Sequence, residues 1–205
     1  TAVEVLHRIE GEDKVEIDRK RLLGNLKNSA SYSLELLENL LHWSRLEEGV
    51  SNYHAEEIRL NTLVANCLSL FGEAAAIKGI LIKKEINGSI TCTADRIMME
   101  TIFRNLISNA IKFSNPGGTV TISVKEEDEL IRIRVSDQGI GMSPEQVHKV
   151  QFNGGFTRRG TANEKGAGMG LTLVREFTNV HKGQLTIRSE PGQGSTFEVS
   201  IPCLK

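Results

Sequence analysis

The hydrophobic pattern divides the chain into two unlike parts. Between residues 20 and 48 there is no proline, and no glycine after Gly24. Leu23, Leu26, Ala30, Ser33, Leu37 and Leu40 recur at alternating spacings of three and four. That spacing predicts one long helix with a heptad-like seam. Leu36, Leu41 and Leu46 widen the apolar face beyond a single seam, as a bundle helix requires. Gly49 stops it. A helix of about thirty residues runs roughly 45 Å. The apolar stretch before it, with Val3, Val5, Leu6 and Ile9, supplies only roughly 15 Å of partner helix. The lower half of the long helix, with Leu37, Leu40, Leu41 and Trp43, then has no cover within the chain. The expectation is a helical hairpin whose first helix is truncated, extending before Thr1 and completed by a second chain.

From Glu56 onward short strand and helix patterns alternate. "EEIRL" predicts a strand. "NTLVANCLSLFGEAAAIKG" predicts one helix, with Asn61 as N-cap and Gly79 as stop. "ILIKKEI" and "ITCTA" predict two strands joined by the turn "NGS". "DRIMMETIFRNLISNAIKF" is a strongly amphipathic helix with Asp95 as candidate N-cap. "TVTISVKEE" and "ELIRIRVSD" alternate like the arms of a hairpin. A glycine-rich region from Gln138 to Gly170 follows, then the helix "LTLVREFTNVHK" and the strands "GQLTIRSE" and "STFEVSIP". The second part is therefore expected to be α+β, with helices on one face of a mixed, mainly antiparallel sheet.

Composition narrows the class. The 205 residues are 39% hydrophobic and 25% charged, which fits a globular protein. A net charge of −1 gives no general electrostatic case for nucleic acid. No window holds the eighteen or so apolar residues that a membrane helix needs, so no membrane segment is expected in this chain. Cys67, Cys92 and Cys203 are far apart with no C-x-x-C pair, and they read as reduced thiols.

Several stretches carry candidate chemistry. "SDQGIGM" follows a strand directly, placing Asp137 at the strand end beside Gly139 and Gly141. An ionised carboxylate accepts hydrogen bonds only, so Asp137 suits an exocyclic amine such as that of adenine; a plain turn explains the stretch equally well. On the helix "RNLISNAIKFSN", Asn105, Asn109 and Lys112 share a face, with Phe113 among its apolar complement. Two amides and an ammonium suit a hard cation and phosphates; a solvated helix face is the alternative. "NGGFTRRGTANEKG" is a long polar loop, with Phe156 its lone aromatic and Arg158, Arg159 and Lys165 its cations. "KGAGMGLTLV" sets Gly166, Gly168 and Gly170 at every second position before a helix that opens with Leu171. It reads as an anion-binding helix end or as a hinge. "EPGQGSTFEVSIP" holds a glycine turn and then Thr196 on a strand.

Taken together and in this order, these stretches resemble the sensor histidine kinases of two-component systems. "RNLISNAIKF" is similar to their N box, "DQGIG" to the G1 box, Phe156 to the F box, "GAGMGL" to the G2 box and "GQGSTF" to the closing G-x-G-S-T-F motif. "LLENLLHWSRLEEG" resembles the second helix of their dimerisation domain. The resemblance implies a GHKL (Bergerat) ATP-binding fold, a two-layer α/β sandwich, preceded by a helical hairpin of a dimeric four-helix bundle. It implies a partial dimerisation and phosphoacceptor hairpin over residues 1–50, a linker over 51–56 and a catalytic ATP-binding domain over 57–205.

The implied cofactors are ATP and Mg²⁺. By this resemblance Asn109 ligates the metal, and Asn105 and Lys112 are catalytic residues beside it toward the phosphates, with Phe113 adjoining them. Asp137 takes the adenine amine, with Thr196 supporting it through water, and Gly139 and Gly141 shape the adenine side. Residues 142–168 form a lid carrying Phe156, Arg158, Arg159 and Lys165. Gly166, Gly168 and Gly170 hinge that lid before Leu171. The implied reaction moves the γ-phosphoryl of ATP to a histidine and later to a response-regulator aspartate. Implied partners are a second copy through the N-terminal helices and a receiver domain. The implied location is cytoplasmic, as part of a protein whose anchor, if any, lies outside this chain.

One feature departs from the family. None of His7, His42, His54, His148 and His181 has the acid and proline that follow a phosphoacceptor. They read as structural or surface residues, and the acceptor is expected upstream of Thr1. The alternatives are an ATPase of the gyrase, MutL or heat-shock chaperone kind and a nucleotide-binding scaffold. Glu100, nine residues before Asn109, is too far upstream for the former's catalytic acid.

Overall fold

The computed structural model describes Leu37 and residues 53–153, 158–162, 164 and 168–203. The expected hairpin over residues 1–50 lies, but for Leu37, outside them. Strand β1 (Ala55–Arg59) runs straight into α1 (Leu60–Ser69), followed by α2 (Gly72–Ile77), β2 (Leu81–Ile86) and β3 (Thr91–Asp95). Helix α3 (Arg96–Phe113), β4 (Thr119–Glu127) and β5 (Leu130–Asp137) come next. The short α4 (Pro144–His148) continues into a π turn (Lys149–Asn153). Helix α5 (Gly170–Val180), β6 (Gln184–Glu190) and β7 (Gly194–Pro202) complete the order.

A five-stranded sheet in the order β2-β4-β5-β7-β6 forms one layer. Its β2–β4 pair is parallel and the others are antiparallel. Helices α3 and α5 lie side by side against it, with α1 beside α3, and β1 and β3 form a separate antiparallel pair. The mixed, mainly antiparallel sheet with a helical layer on one face is the architecture expected.

Period-two burial on the strands and a three-four stripe on the helices explain why these layers meet. On β5, Ile131, Ile133 and Val135 are buried while Arg132 and Arg134 face away. On α3, Met99, Ile102, Phe103, Leu106, Ile107, Ala110 and Ile111 are buried. On α5 the stripe is Leu173, Val174 and Phe177. Asp137 continues the inward phase of β5, so a carboxylate ends a row of core side chains.

Several local expectations hold. Asp95 caps α3, its Oδ1 accepting from the Met98 N–H at 3.0 Å. Gly79 follows α2 with φ of 66°, the left-handed residue that commonly ends a helix. The β4–β5 hairpin closes through Asp128 and Glu129, both with positive φ, as a primed two-residue turn requires.

Others are corrected. Asn61 does not cap α1. That position falls to Arg59 with no side-chain bond, because β1 enters the helix without an intervening polar residue. Asn61 instead ties down the β2–β3 turn, donating to the Gly88 carbonyl at 2.8 Å and accepting from the Ile90 N–H at 3.2 Å. The single helix expected from Asn61 to Gly79 is two. Tight three-residue bonds at Leu70 and Phe71 end α1, and Ala75 N–H restarts the ladder on the Phe71 carbonyl. Strands β2 and β3 are consecutive but do not pair: β2 joins β4 and β3 joins β1. The first strand also takes in Ala55 and Glu56 from the expected linker, pairing them with Asp95 and Ala94.

Candidate nucleotide site

Asp137 is the buried centre of the site, 7% exposed. Its Oδ1 accepts from the backbone N–H of Gly139 at 2.9 Å and of Ser195 at 3.3 Å. Its Oδ2 has no hydrogen-bond donor among the described residues. Burial pushes the carboxyl up from 3.8 to about 6, against the pull of those two N–H groups and the Arg158 guanidinium. The acid is thus held in a fixed pose with one oxygen committed to backbone and one open to a ligand donor.

The glycine after Asp137 is required by the protein's own packing. A Cβ on Gly139 would sit 2.1 Å from the Phe113 carbonyl oxygen. The turn is stitched there to the end of α3 by Ile140 N–H to Phe113 O at 3.2 Å and by the Ser114–Gly139 bridge. Gly141 likewise lies against the Glu190 carbonyl of the β6–β7 turn. These two glycines therefore let the Asp137 turn approach α3 and β6.

Thr196 is turned away from Asp137. The register pairs Asp137 with Ser195 and Ser136 with Thr196, so strand alternation puts the two hydroxyls on opposite faces. Thr196 Oγ1 lies 3.0 Å from Ser136 Oγ. Ser195, buried and donating its N–H to Asp137, is the residue that the linear motif concealed.

Asn105, Asn109 and Lys112 do share a half-buried face of α3. They are not equivalent. Asn105 Nδ2 donates to the Thr101 carbonyl at 2.8 Å, and a Cβ on Gly170 would meet Asn105 Oδ1 at 2.2 Å. Its Nδ2 is thus bonded within α3, and its Oδ1 packs against the start of α5. The Asn109 side chain makes no hydrogen bond among the described residues, so its amide remains for a ligand. Lys112 Nζ lies 5.2 Å from the Phe113 ring centroid, and the Arg158 guanidinium carbon lies 5.3 Å from it. Arg158 also donates to the Gly141 carbonyl at 2.6 Å. Arg159 is exposed.

Gly170 is the first residue of α5, which has Met169 at its N-cap and no side-chain cap. Its first-turn N–H groups lack helical acceptors, as an anion site needs. Gly168 precedes it with φ of 76°, and Leu171 packs on the core. Phe156, Lys165 and Gly166 lie outside the described residues. His181 is structural, as expected. Asp95 N–H donates to Nε2 at 3.2 Å, so the proton sits on Nδ1, which faces the Phe177 carbonyl at 2.6 Å. Burial lowers its pKa.

One Mg²⁺ needs few protein ligands beyond phosphates and water, all of them oxygens. The unengaged Asn109 amide, on a half-buried face, fits that demand. No cluster of three His, Cys, Asp or Glu side chains competes for a metal among the described residues. None of the described helices is long and apolar enough to cross a membrane.

Known proteins share this arrangement. Residues 94–205 match the family described as histidine kinase-, DNA gyrase B- and HSP90-like ATPase. A sensor-like histidine kinase of Rhizobium meliloti (strain 1021) is 32% identical over 196 residues, covering 92% of this chain and 37% of its own. The histidine protein kinase DivJ of Caulobacter vibrioides is 30% identical, covering 87% and 30%. The chain thus spans well under half the length of these relatives. Full-length ShkA, solved in complex with AMPPNP, superposes with a TM-score of 0.71 at 26% identity, covering 85% of this chain and 36% of that one. With the family spanning more than half of its residues, the chain belongs to the histidine kinase-, DNA gyrase B- and HSP90-like ATPases, and it contains an ATP-binding domain of the histidine kinase type.

Proposed function

We propose that the chain is the ATP-binding core of a protein histidine kinase. It moves the γ-phosphoryl of ATP to a histidine of the full-length protein, for relay to a response-regulator aspartate. The observation that carries this reading is Asp137: a buried carboxylate with Oδ1 fixed by two backbone N–H groups and Oδ2 open.

Such a group accepts from the adenine amine and rejects a base with a carbonyl there, which would meet a negative charge. Ser195 holds the carboxylate by its backbone and takes the supporting role first expected of Thr196. Phosphates at the other end meet the uncapped start of α5 and the cation Lys112, while Arg158 stays beside Gly141 and Asp137. Asn109 is the residue to hold Mg²⁺, which when bound neutralises charge on the phosphates. Asn105 acts on this scheme through packing, by fixing where Gly170 and α5 begin. Phosphoryl transfer asks the protein mainly for positioning and charge neutralisation, and these residues supply both. On the same reading residues 1–50 belong to a dimerising hairpin. The partners are a second copy and a receiver domain, and the domain works in the cytoplasm, where ATP is available.

The test uses this chain as donor, with Mg²⁺ and γ-labelled ATP, and full-length protein carrying Asn109→Asp as acceptor. Acid-labile label on the acceptor is the expected result. Phosphate release without any transfer would replace the kinase reading with an ATPase.

A further inference from the structure

The last carbonyls of a helix need partners from outside it. At the end of α3 they are met by three distant segments. The Ala110 carbonyl takes the Ser114 N–H at 3.0 Å, and the Phe113 carbonyl takes Ile140 N–H. Lys78 Nζ, from just past α2, donates to the carbonyls of Ile111 at 2.9 Å and Lys112 at 2.7 Å. Thr161 donates its N–H to Lys112 O at 3.1 Å and its hydroxyl to Ser114 O at 2.6 Å. The third donor site of the Lys78 ammonium is filled by Glu164 Oε1 at 3.0 Å.

The Lys78 side chain is 7% exposed and that of Glu164 is 35% exposed. A buried ammonium needs a counter-charge as well as dipoles, and Glu164 supplies it. Glu164 also gathers its own segment. Its Oε2 accepts from Ala162 N–H at 2.8 Å and its carbonyl accepts from Gly160 N–H at 2.9 Å. Gly160 is pressed so close that a Cβ there would lie 2.6 Å from Lys112 Cγ. Residues 158–162 and Glu164 thus form a compact strap across the last turn of α3, with Arg158 over Phe113 at one end.

We propose that Lys78 and Glu164 are positioning residues: a latch that fastens this strap to the end of α3 and thereby sets Lys112 at the phosphate end of the nucleotide site. The assignment of that end rests on the nucleotide reading above; the latch itself does not. Neither residue touches nucleotide in this scheme. Their effect reaches it through the Lys112 backbone and the placement of the strap.

Two readouts separate the latch from the site. The first needs no nucleotide: trypsin cleavage after Arg158 and Arg159 in the otherwise intact chain, located by mass spectrometry. Cleavage follows the population of the undocked strap, so Glu164→Gln should speed it by about tenfold or more. Thr161→Val, which disturbs only the strap, should speed it less. Lys78→Met combined with Glu164→Gln should cleave little faster than Lys78→Met alone, because the pair acts as a unit. Should Lys78→Met fail to fold, the Glu164 and Thr161 variants carry the test.

The second readout is binding of a fluorescent ATP analogue and of adenosine. Glu164→Gln should weaken the analogue several-fold and adenosine much less, since the latch holds the Lys112 backbone at the phosphate end. Equal cleavage in parent and Glu164→Gln, or equal loss for the analogue and adenosine, overturns the proposal. Asp137→Asn serves as control for the site: if that variant binds the analogue as tightly as the parent, the nucleotide reading fails, while the cleavage data still decide the latch.

Discussion

Replacing Asp137 with Asn should stabilise the domain while weakening its nucleotide binding. In the folded chain the carboxyl titrates at about 6 instead of 3.8, chiefly because it is buried at the inward end of β5. That difference makes its ionised form about 3 kcal/mol costlier in the folded than in the unfolded state. Asparagine keeps an Oδ1 to accept the Gly139 and Ser195 N–H groups and removes the charge. Its new amide N–H groups need acceptors and offset about 1 kcal/mol of the gain. The net expectation is about 1–3 kcal/mol, or roughly 3–10 °C in Tm for a domain of this size.

The sign of the pH dependence follows from proton counting. Between 3.8 and about 6 the folded state holds more protons at this site than the unfolded chain. Its contribution to stability is therefore full below 3.8 and is lost as pH rises through about 6. The advantage of the Asn variant should be largest at pH 7–8 and close to nothing near pH 4. Thermal melts of parent and variant across that range check it. A variant that melts at or below the parent at pH 7.5, or whose gain is the same at both ends, refutes the argument. Affinity for the ATP analogue should fall about ten- to a hundredfold, the worth of one hydrogen bond to a charged group.

Further outcomes follow from the same geometry. Asn109→Ala should leave the melting temperature within about 1 °C of the parent, because the amide has no partner among the described residues to lose. The same variant should weaken analogue binding with Mg²⁺ present and not without it, as parallel titrations would show. Gly170→Ala should cost about 1–3 kcal/mol in a denaturant melt, since its Cβ would meet Asn105 Oδ1 at 2.2 Å and one of the two packed helices must shift. His181 should make the domain acid-sensitive. Its folded pKa lies below 6.5 because of burial, opposed by the Phe177 carbonyl and by Asp95, with the Tyr53 ring against its edge. Its contribution to stability is present above 6.5 and is lost as pH falls through the folded value. Asp137 works in the opposite direction over part of that window, so melts of Asp137→Asn and Asp137→Asn/His181→Gln isolate the histidine. Equal slopes between pH 7.5 and 5.5 would remove it as the sensor.

Much of the domain was legible in residue order because its determinants are local. Alternation on β4, β5 and β7, the three-four stripe of α3, the Asp95 cap and the Gly79 stop each depend on residues within a turn or two. The motif stretches likewise fixed which segments carry polar chemistry. Asn61 misled because cap preference says only that a short polar side chain wants backbone partners, and those partners proved to be Gly88 and Ile90. Lys78 gave no signal at all: a lysine before a helix-ending glycine reads as the cap of its own helix. Its actual partners lie 33 and 34 residues away on α3 and 86 away at Glu164.

By itself, then, the sequence determined the kinds of element, their order, and the presence of a carboxylate, an amide face and glycine turns suited to a nucleotide. Only the tertiary structure decided which strand pairs with which and that Ser195 rather than Thr196 stands opposite Asp137. It also decided that Asn105 donates within its own helix and packs against Gly170, while the Asn109 side chain has no hydrogen bond among the described residues. The reason is physical: periodicity is written in neighbours along the chain, whereas strand register and the partners of a buried polar group are set by whichever distant segment completes its hydrogen bonds.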